Sequence, residues 1–380
     1  VAGASASRGN GGRAARRLLL ATGVAAAGFA VASLAGLTPS AGSPAFMYAV
    51  SGLLAVGLYA GAYGISREVV RDLRTVVLAV TVGVVLKTAL IALVMYLCYR
   101  DPASLLFAVA VAQIDPLSVA ALIGGSGMSA RARNLLLAWA SFDDPVTALL
   151  TVYLSAWMLR DSGTGGGLAA YLMTAWGNAV LAAVAAVVWF GGRWLRDRIA
   201  WRPARDERLV RAVAIVALVA ALAVAVRELL LLGAALMGLF FRPWLDRWLD
   251  RITALAFLLA TFATGMLLVQ GVNPVKGLVL GLAAFLAQAV VGGFVIARGL
   301  SGEERVYLAL GQQNGITAIL LALALAGDFP EAVAVIAPAV FAVNVVHLVA
   351  NTLWERLDPY GRRRLAVRLR MAPAAERAAE

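Results

Sequence analysis

Asp143 and Asp144 stand side by side in a stretch, 134–158, that is otherwise apolar enough to cross a lipid bilayer. An acid near the bilayer centre costs roughly 2.5–3.5 kcal/mol on insertion scales, so it is read first as a functional group. No basic residue lies close to the pair in sequence, which suits a place that a cation visits. On a helix the two side chains point about 100° apart, so one can face a cation while the other faces a protein partner. Acids this close titrate as a coupled pair, and protons and a small cation can compete for them. Pro145 cannot donate to the carbonyl of Ser141, which frees that oxygen to solvate a hard cation.

Other polar residues interrupt apolar runs. Gln113-Ile114-Asp115-Pro116 lies in one of them. Proline lacks an N–H and disfavours helix at the residue before it, so a break is expected at Asp115. The half-helix beginning at Pro116 would present the positive end of its dipole, which Asp115 would offset. Asp115 also suits a buried N-cap, and the two roles are compatible. A second interruption is Gly311-Gln312-Gln313-Asn314-Gly315. Lys87 sits in mid-span, where reaching the surface is a long stretch and pairing with an acid is favoured. Gln288 and His347 are also in mid-span and read first as interhelical hydrogen bonders.

These residues need a membrane framework to hold them. The chain of 380 residues is 62% hydrophobic and 14% charged, with mean hydropathy +0.85, which excludes an ordinary soluble domain. Apolar runs of about 20 residues, each able to cross a core of roughly 30 Å, give about 12 expected transmembrane helices. They fall near 17–37, 45–64, 73–98, 103–125, 134–159, 168–191, 208–226, 228–242, 251–270, 275–297, 304–326 and 330–354. The fold expected is an all-α polytopic membrane protein. Residues 1–16 form an N-terminal tail, 17–355 the transmembrane domain and 356–380 a basic C-terminal tail. The N-terminal arginines before an apolar run resemble a signal peptide, but the run is long enough to span and is taken as the first helix.

The net charge of +12 could point to nucleic acid. Its placement argues for topology instead. With both tails cytoplasmic, only Arg100, Arg160, Arg227 and Lys276 fall outside and Lys87 within a span; every other lysine and arginine falls inside, as the positive-inside rule requires. Merging 212–226 with 228–242 into one helix would reverse the later segments, so charge favours two spans. No nucleic-acid partner is expected. One cysteine and one histidine allow neither an intrachain disulfide nor a multi-histidine metal site. There is no nucleotide loop, zinc spacing or hydrolase triad, and no resident cofactor is expected. Gly124–Gly127 and Gly165–Gly167 read as connectors.

The topology exposes a repeat. Spans 3 to 5 (about 73–159) begin inside and spans 10 to 12 (about 275–354) begin outside, and each trio has an interrupted middle member. Paired interruptions in oppositely oriented halves point to the binding site of a secondary transporter. Non-helical backbone must then be buried in protein or line a cavity.

At these residues the chain resembles the monovalent cation:proton antiporters, the sodium/proton exchanger superfamily. Residues 113–116 resemble that family's Thr-Asp-Pro break, and Phe142-Asp143-Asp144-Pro145 its Asp-Asp ion site. Gly233 to Leu239 is similar to its Gly-Ala-Phe-Leu-Ala-Gly helix, Phe257 to Leu268 to its Phe-Phe-x-x-x-Gly helix, and Leu58 to Leu73 to the entry of its third helix. The likeness covers roughly 45–355. It implies two crossing discontinuous helices in a moving core (73–159 and 275–354) on a dimerisation scaffold (17–64 and 208–270). It further implies exchange of Na⁺ or a similar ion (Li⁺, K⁺) against protons, by elevator-like alternating access, in a plasma-membrane homodimer. The implied ion site comprises Asp143, Asp144, Asp115, Ile114 and Ser141, supported by Lys87, Gln288, Gln313, Asn314 and Gln113. Two departures stand out: Ile114 replaces a threonine, and Gln288 occupies the place of a basic residue that pairs with an aspartate. Lys87, on the repeat counterpart of the span carrying Gln288, is expected to supply that missing cation. Two alternatives stay open. A sodium-coupled organic-anion symporter of the bile-acid type also carries Gln-Asn, as at Gln313-Asn314. An intramembrane aspartyl protease would use Asp115 and Asp143 as a dyad.

Overall fold

The computed structural model describes residues 2–37, 40–63, 77, 79–115, 119, 128–161, 168–198, 203–243, 246–297, 299–357 and 359–368. Pro116, the segment 64–76, both glycine-rich connectors and the end of the C-terminal tail lie outside these. In lipid, backbone polar groups must be satisfied within the segment itself, which leaves apolar runs little choice but helix. The helices are α1 (Ala2–Leu34), α2 (Pro44–Tyr63), α3 (Val84–Tyr99), α4 (Ala103–Ala112), α5 (Ala130–Asp161), α6 (Leu168–Arg198) and α7 (Pro203–Arg227). They continue as α8 (Leu231–Phe240), α9 (Asp246–Leu267), α10 (Pro274–Val290), α11 (Gly302–Ala309), α12 (Ile316–Leu325), α13 (Glu331–Arg356) and α14 (Pro359–Arg368). Among the described residues, nine helices are long and apolar enough to span; α4, α8 and α12 are shorter apolar helices. The expected span 304–326 is divided between α11 and α12, and that at 103–125 begins as α4, most of its second half lying outside the described residues. The protein is a multi-pass all-α membrane protein.

Local chemistry sets the helix ends. Asn273 caps α10, its side-chain oxygen accepting from the Lys276 N–H at 3.1 Å, with Pro274 at the first helical position, where its missing N–H costs nothing. Ser301 and Glu304 form a reciprocal capping box on α11, satisfying two orphan donors. Between α7 and α8 the chain turns at Leu229, which takes the left-handed conformation (φ 54°). The segments 212–226 and 228–242 are therefore separate helices, as the charge pattern required.

Packing brings the two trios together. α10 lies along α13 and also against α3, which packs on α4; α4 in turn packs on α5. On α10, Gly277 and Gly281 are four residues apart. A methyl group at Gly277 would lie 2.7 Å from the Val335 carbonyl oxygen, and one at Gly281 2.7 Å from that of Ala339. Small residues at this spacing let membrane helices approach closely. Elsewhere α1 lies along α9, and α2 along α8. α12 touches α2 and α9 as well as α13, so it joins the second trio to the remaining helices. A π-helical turn, Ala79–Gly83, leads into α3, and another, Val291–Ile296, follows α10; the two touch each other. Such turns recur beside functional sites.

Candidate ion-binding site

Two interrupted helices cross at the centre of the fold. α4 ends at Ala112, and residues 113–115 are non-helical; α11 ends at Ala309, and 311–315 are non-helical before α12 resumes. Unwinding leaves backbone groups in need of partners, and each strand supplies the other's. The Asp115 N–H donates to the Gln313 carbonyl at 2.8 Å. The Gln312 amide donates to the carbonyls of Val111 (3.1 Å) and Gln113 (2.9 Å). The Asn314 amide reaches the same two oxygens at 3.0 and 3.3 Å. From α13, Asn344 exchanges bonds with the backbone of Asn314 (3.2 and 3.0 Å), and Asn351 donates to the Leu310 carbonyl at 3.1 Å. The breaks are thus buried in protein, as lipid requires.

The acids converge on this crossing. Within α5, which runs through Pro145, Asp143 and Asp144 are both buried and diverge as consecutive helical residues must. Asp143 faces α3, where Lys87 donates to its Oδ2 at 2.8 Å, both side chains fully buried. The Lys87 ammonium also donates to Gln288 Oε1 at 3.3 Å and lies 5.2 Å from the Trp139 ring centroid. Gln288 in turn donates to the Leu308 carbonyl at 2.9 Å, so it links Lys87 to the end of α11. Asp144 faces the second crossing helix instead, accepting from the Thr317 hydroxyl at 2.9 Å. The charges of Asp115, Asp143 and Lys87 all act on Asp144. Asp115 itself is buried beside Gly315, where a methyl group would overlap its carboxyl carbon and lie 2.5 Å from its Oδ1. The Val119 N–H donates to the Asp115 carbonyl at 3.1 Å.

The remaining expected residues fall at the crossing in varied ways. Ile114 turns its side chain into the core cluster around Trp139, and its backbone N–H lies toward Asp143. Gln113 is buried and contributes its carbonyl; its amide donates to Ala110 at 3.0 Å. Gln313 contributes the carbonyl that binds Asp115. Ser141 lies within α5, its side chain outside the described ones. His347 is buried on α13, its ring 3.3 Å from the Asn351 amide. Three residues at the crossing lie outside the sequence expectations, Thr317, Asn344 and Asn351, and Gln312 is expected there only as part of the 311–315 interruption. Among the described residues no three His, Cys, Asp or Glu side chains gather into a metal centre. The crossing offers carboxylates, a hydroxyl and backbone oxygens, the hard ligands that small cations prefer.

Crossing discontinuous helices with buried acids at their junction define a secondary transporter of ions. The family model for the transmembrane part of the sodium/hydrogen exchangers matches residues 17–355. The chain belongs to that family, and its activity is cation:proton exchange; an organic-anion symporter is not supported. Among solved structures it is similar to the sodium proton antiporter MjNhaP1 from Methanocaldococcus jannaschii, at 17% identity and TM-score 0.69, over 93% of this chain and 97% of that one. At this identity the likeness speaks for the fold. No curated protein matches it significantly by sequence.

Proposed function

We propose that Asp144 is the carboxylate that alternately holds a proton and a small alkali cation, with Na⁺ the natural cargo, while Asp143 is held neutral in sum by Lys87. The supporting observation is the division between two neighbouring acids. Asp143 has a buried ammonium 2.8 Å away, whereas Asp144 accepts from a neutral hydroxyl and feels the charge of Asp115 more strongly than that of Lys87. A carboxylate so placed gains most from an incoming positive charge, because an unpaired buried charge is costly. Asp115, the carbonyls freed at the breaks and the Ser141 oxygen complete the cation's surroundings. Transport uses the trios α3–α5 and α10–α13 as a moving core against a scaffold that includes α1, α2 and α7–α9. A small cleft beside α5, bounded by Leu58, Pro145, Tyr153, Asn178 and Leu231, begins at the residue after Asp144 and suits one end of the access route. The protein acts in the plasma membrane, both termini cytoplasmic, as a homodimer. It is a transporter with no hydrolytic role, since a protease dyad would need Asp143 to share a proton with Asp115 where Lys87 engages it instead.

The test is dequenching of a pH-sensitive dye in everted vesicles on adding Na⁺, Li⁺ or K⁺. Wild type is expected to respond and Asp144→Asn to be silent. Robust exchange by that variant removes the assignment.

A further inference from the structure

Among the described residues, Thr317 behaves unlike five of the six other buried threonines; the sixth, Thr88, has a buried hydroxyl with no hydrogen-bond partner. Thr147, Thr151, Thr253, Thr261 and Thr264 each donate to the carbonyl four residues back in their own helix, at 2.7–2.9 Å. This is the usual way a membrane helix absorbs a hydroxyl. Thr317 is the second residue of α12, and the backbone before it is unwound. With no preceding turn to bond to, its hydroxyl crosses to α5 and donates to Asp144 Oδ2 at 2.9 Å. The other oxygen, Oδ1, is buried with no hydrogen-bond partner among the described residues.

We infer that Thr317 divides the Asp144 carboxylate into a held oxygen, Oδ2, and a working oxygen, Oδ1, and so sets how well the transported cation competes for the site. The inference rests on Asp144 being the carrier. A hydroxyl has one hydrogen to donate and two lone pairs. Donating to Oδ2 fixes the carboxylate plane and leaves Oδ1 for the exchanged species. A hydrogen bond to an ionised carboxylate favours that form over the protonated one, so it favours cation over proton. The other charged groups acting on Asp144 are Asp115, at the interrupted end of α4, Asp143 on α5 and Lys87 on α3; none of them is altered by changing Thr317. α12 also packs on α2 and α9, which places the bond on the element joining the acids to the rest of the fold.

The experiment measures Na⁺- and Li⁺-driven exchange by the full-length protein in proteoliposomes at one pH, for wild type, Thr317→Val, Thr317→Ser and Asp144→Asn. Valine keeps the volume and removes the hydroxyl. It is expected to raise the cation KM about tenfold or more, the scale of a hydrogen bond to a charged group, with maximal rate within about twofold. Serine is expected to restore KM to within about threefold. A valine variant with wild-type KM overturns the inference, as does one that loses maximal rate at unchanged KM. Serine behaving like valine also overturns it, because a packing role, not the hydroxyl, would then explain the loss. If valine does not yield folded protein, Thr317→Ala is read in the same way. Exchange surviving in Asp144→Asn sinks the carrier assignment itself; with that variant silent, the threonine variants judge Thr317 alone.

Discussion

Replacing Lys87 by methionine keeps its length and removes its charge. Lys87 and Asp143 are both fully buried, 2.8 Å apart, so the change leaves a carboxylate in the core without its cation. Breaking a buried pair from one side costs about 3–5 kcal/mol, whereas replacing both partners by neutral groups is often near neutral. Loss of the ammonium from the Trp139 face, 5.2 Å away, adds up to about 2 kcal/mol. Lys87→Met and Asp143→Asn should therefore each lower the unfolding temperature of the purified protein clearly, and the double variant should recover most of the loss. Coupling between the two changes is expected at about 2 kcal/mol or more, near the upper part of what touching residues show. The measurement is thermal unfolding of the four proteins at one pH in one detergent. Additive losses, with coupling under about 0.5 kcal/mol, would refute the idea that these two charges depend on each other.

Three further outcomes follow from the geometry. Gly315→Ala puts a methyl group into the Asp115 carboxyl group; exchange is expected to fall by tenfold or more (about 1.4 kcal/mol or above), and wild-type vesicle activity would show that Asp115 is free to move aside. Gly281→Ile drives a branched side chain into the Ala339 backbone, so α10 and α13 should separate and folded yield in detergent should fall, by an overpacking cost of about 1–3 kcal/mol or more; normal yield would contradict the close approach. Moving the cation, Lys87→Gln with Gln288→Lys, should preserve more exchange than Gln288→Lys alone, which sets a second ammonium beside Lys87; equal activity of the two would argue that position 288 does not face Asp143.

The sequence made some parts of this protein plain and hid others for definite reasons. Apolar runs mark helices because lipid leaves no alternative, and the two interruptions declare themselves through Pro116 and through the polar cluster between Gly311 and Gly315. Lys87 was legible because an isolated mid-span ammonium must find an acid, and it lies on Asp143. What could not be read was which member of Gln312-Gln313-Asn314 does what. Gln312 and Asn314 use their side chains to cap the carbonyls of Val111 and Gln113, whereas Gln313 contributes its backbone. That choice depends on dihedral angles in an unwound segment, which no periodicity encodes. Thr317 was hidden by its surroundings, because Ile316–Leu325 reads as an ordinary apolar helix. Only its place in the first turn releases the hydroxyl. Asn344 and Asn351 lay inside α13 as single polar residues, indistinguishable in sequence from general interhelical bonding.

Gln288 and Lys87 are best understood as one arrangement. Lys87 donates to Gln288 Oε1 at 3.3 Å and to Asp143 at 2.8 Å, and Gln288 passes the order on by donating to Leu308. A basic residue at 288 has no acceptor to offer Lys87 and would repel it, by about 4 kcal/mol at 4 Å for an effective dielectric of about 20. The cation can stand on α3 or on α10, but the pocket holds one. With Lys87 charged and all three acids ionised, the crossing carries a surplus of negative charge concentrated on Asp144 and Asp115. One proton or one alkali ion at Asp144 relieves part of that surplus. A second cation would have to be drawn by Asp143 and so would compete with a tethered ammonium already in contact. On the proposed assignment of Asp144 as carrier, exchange would then use a single carboxylate, satisfied by one small positive species at a time.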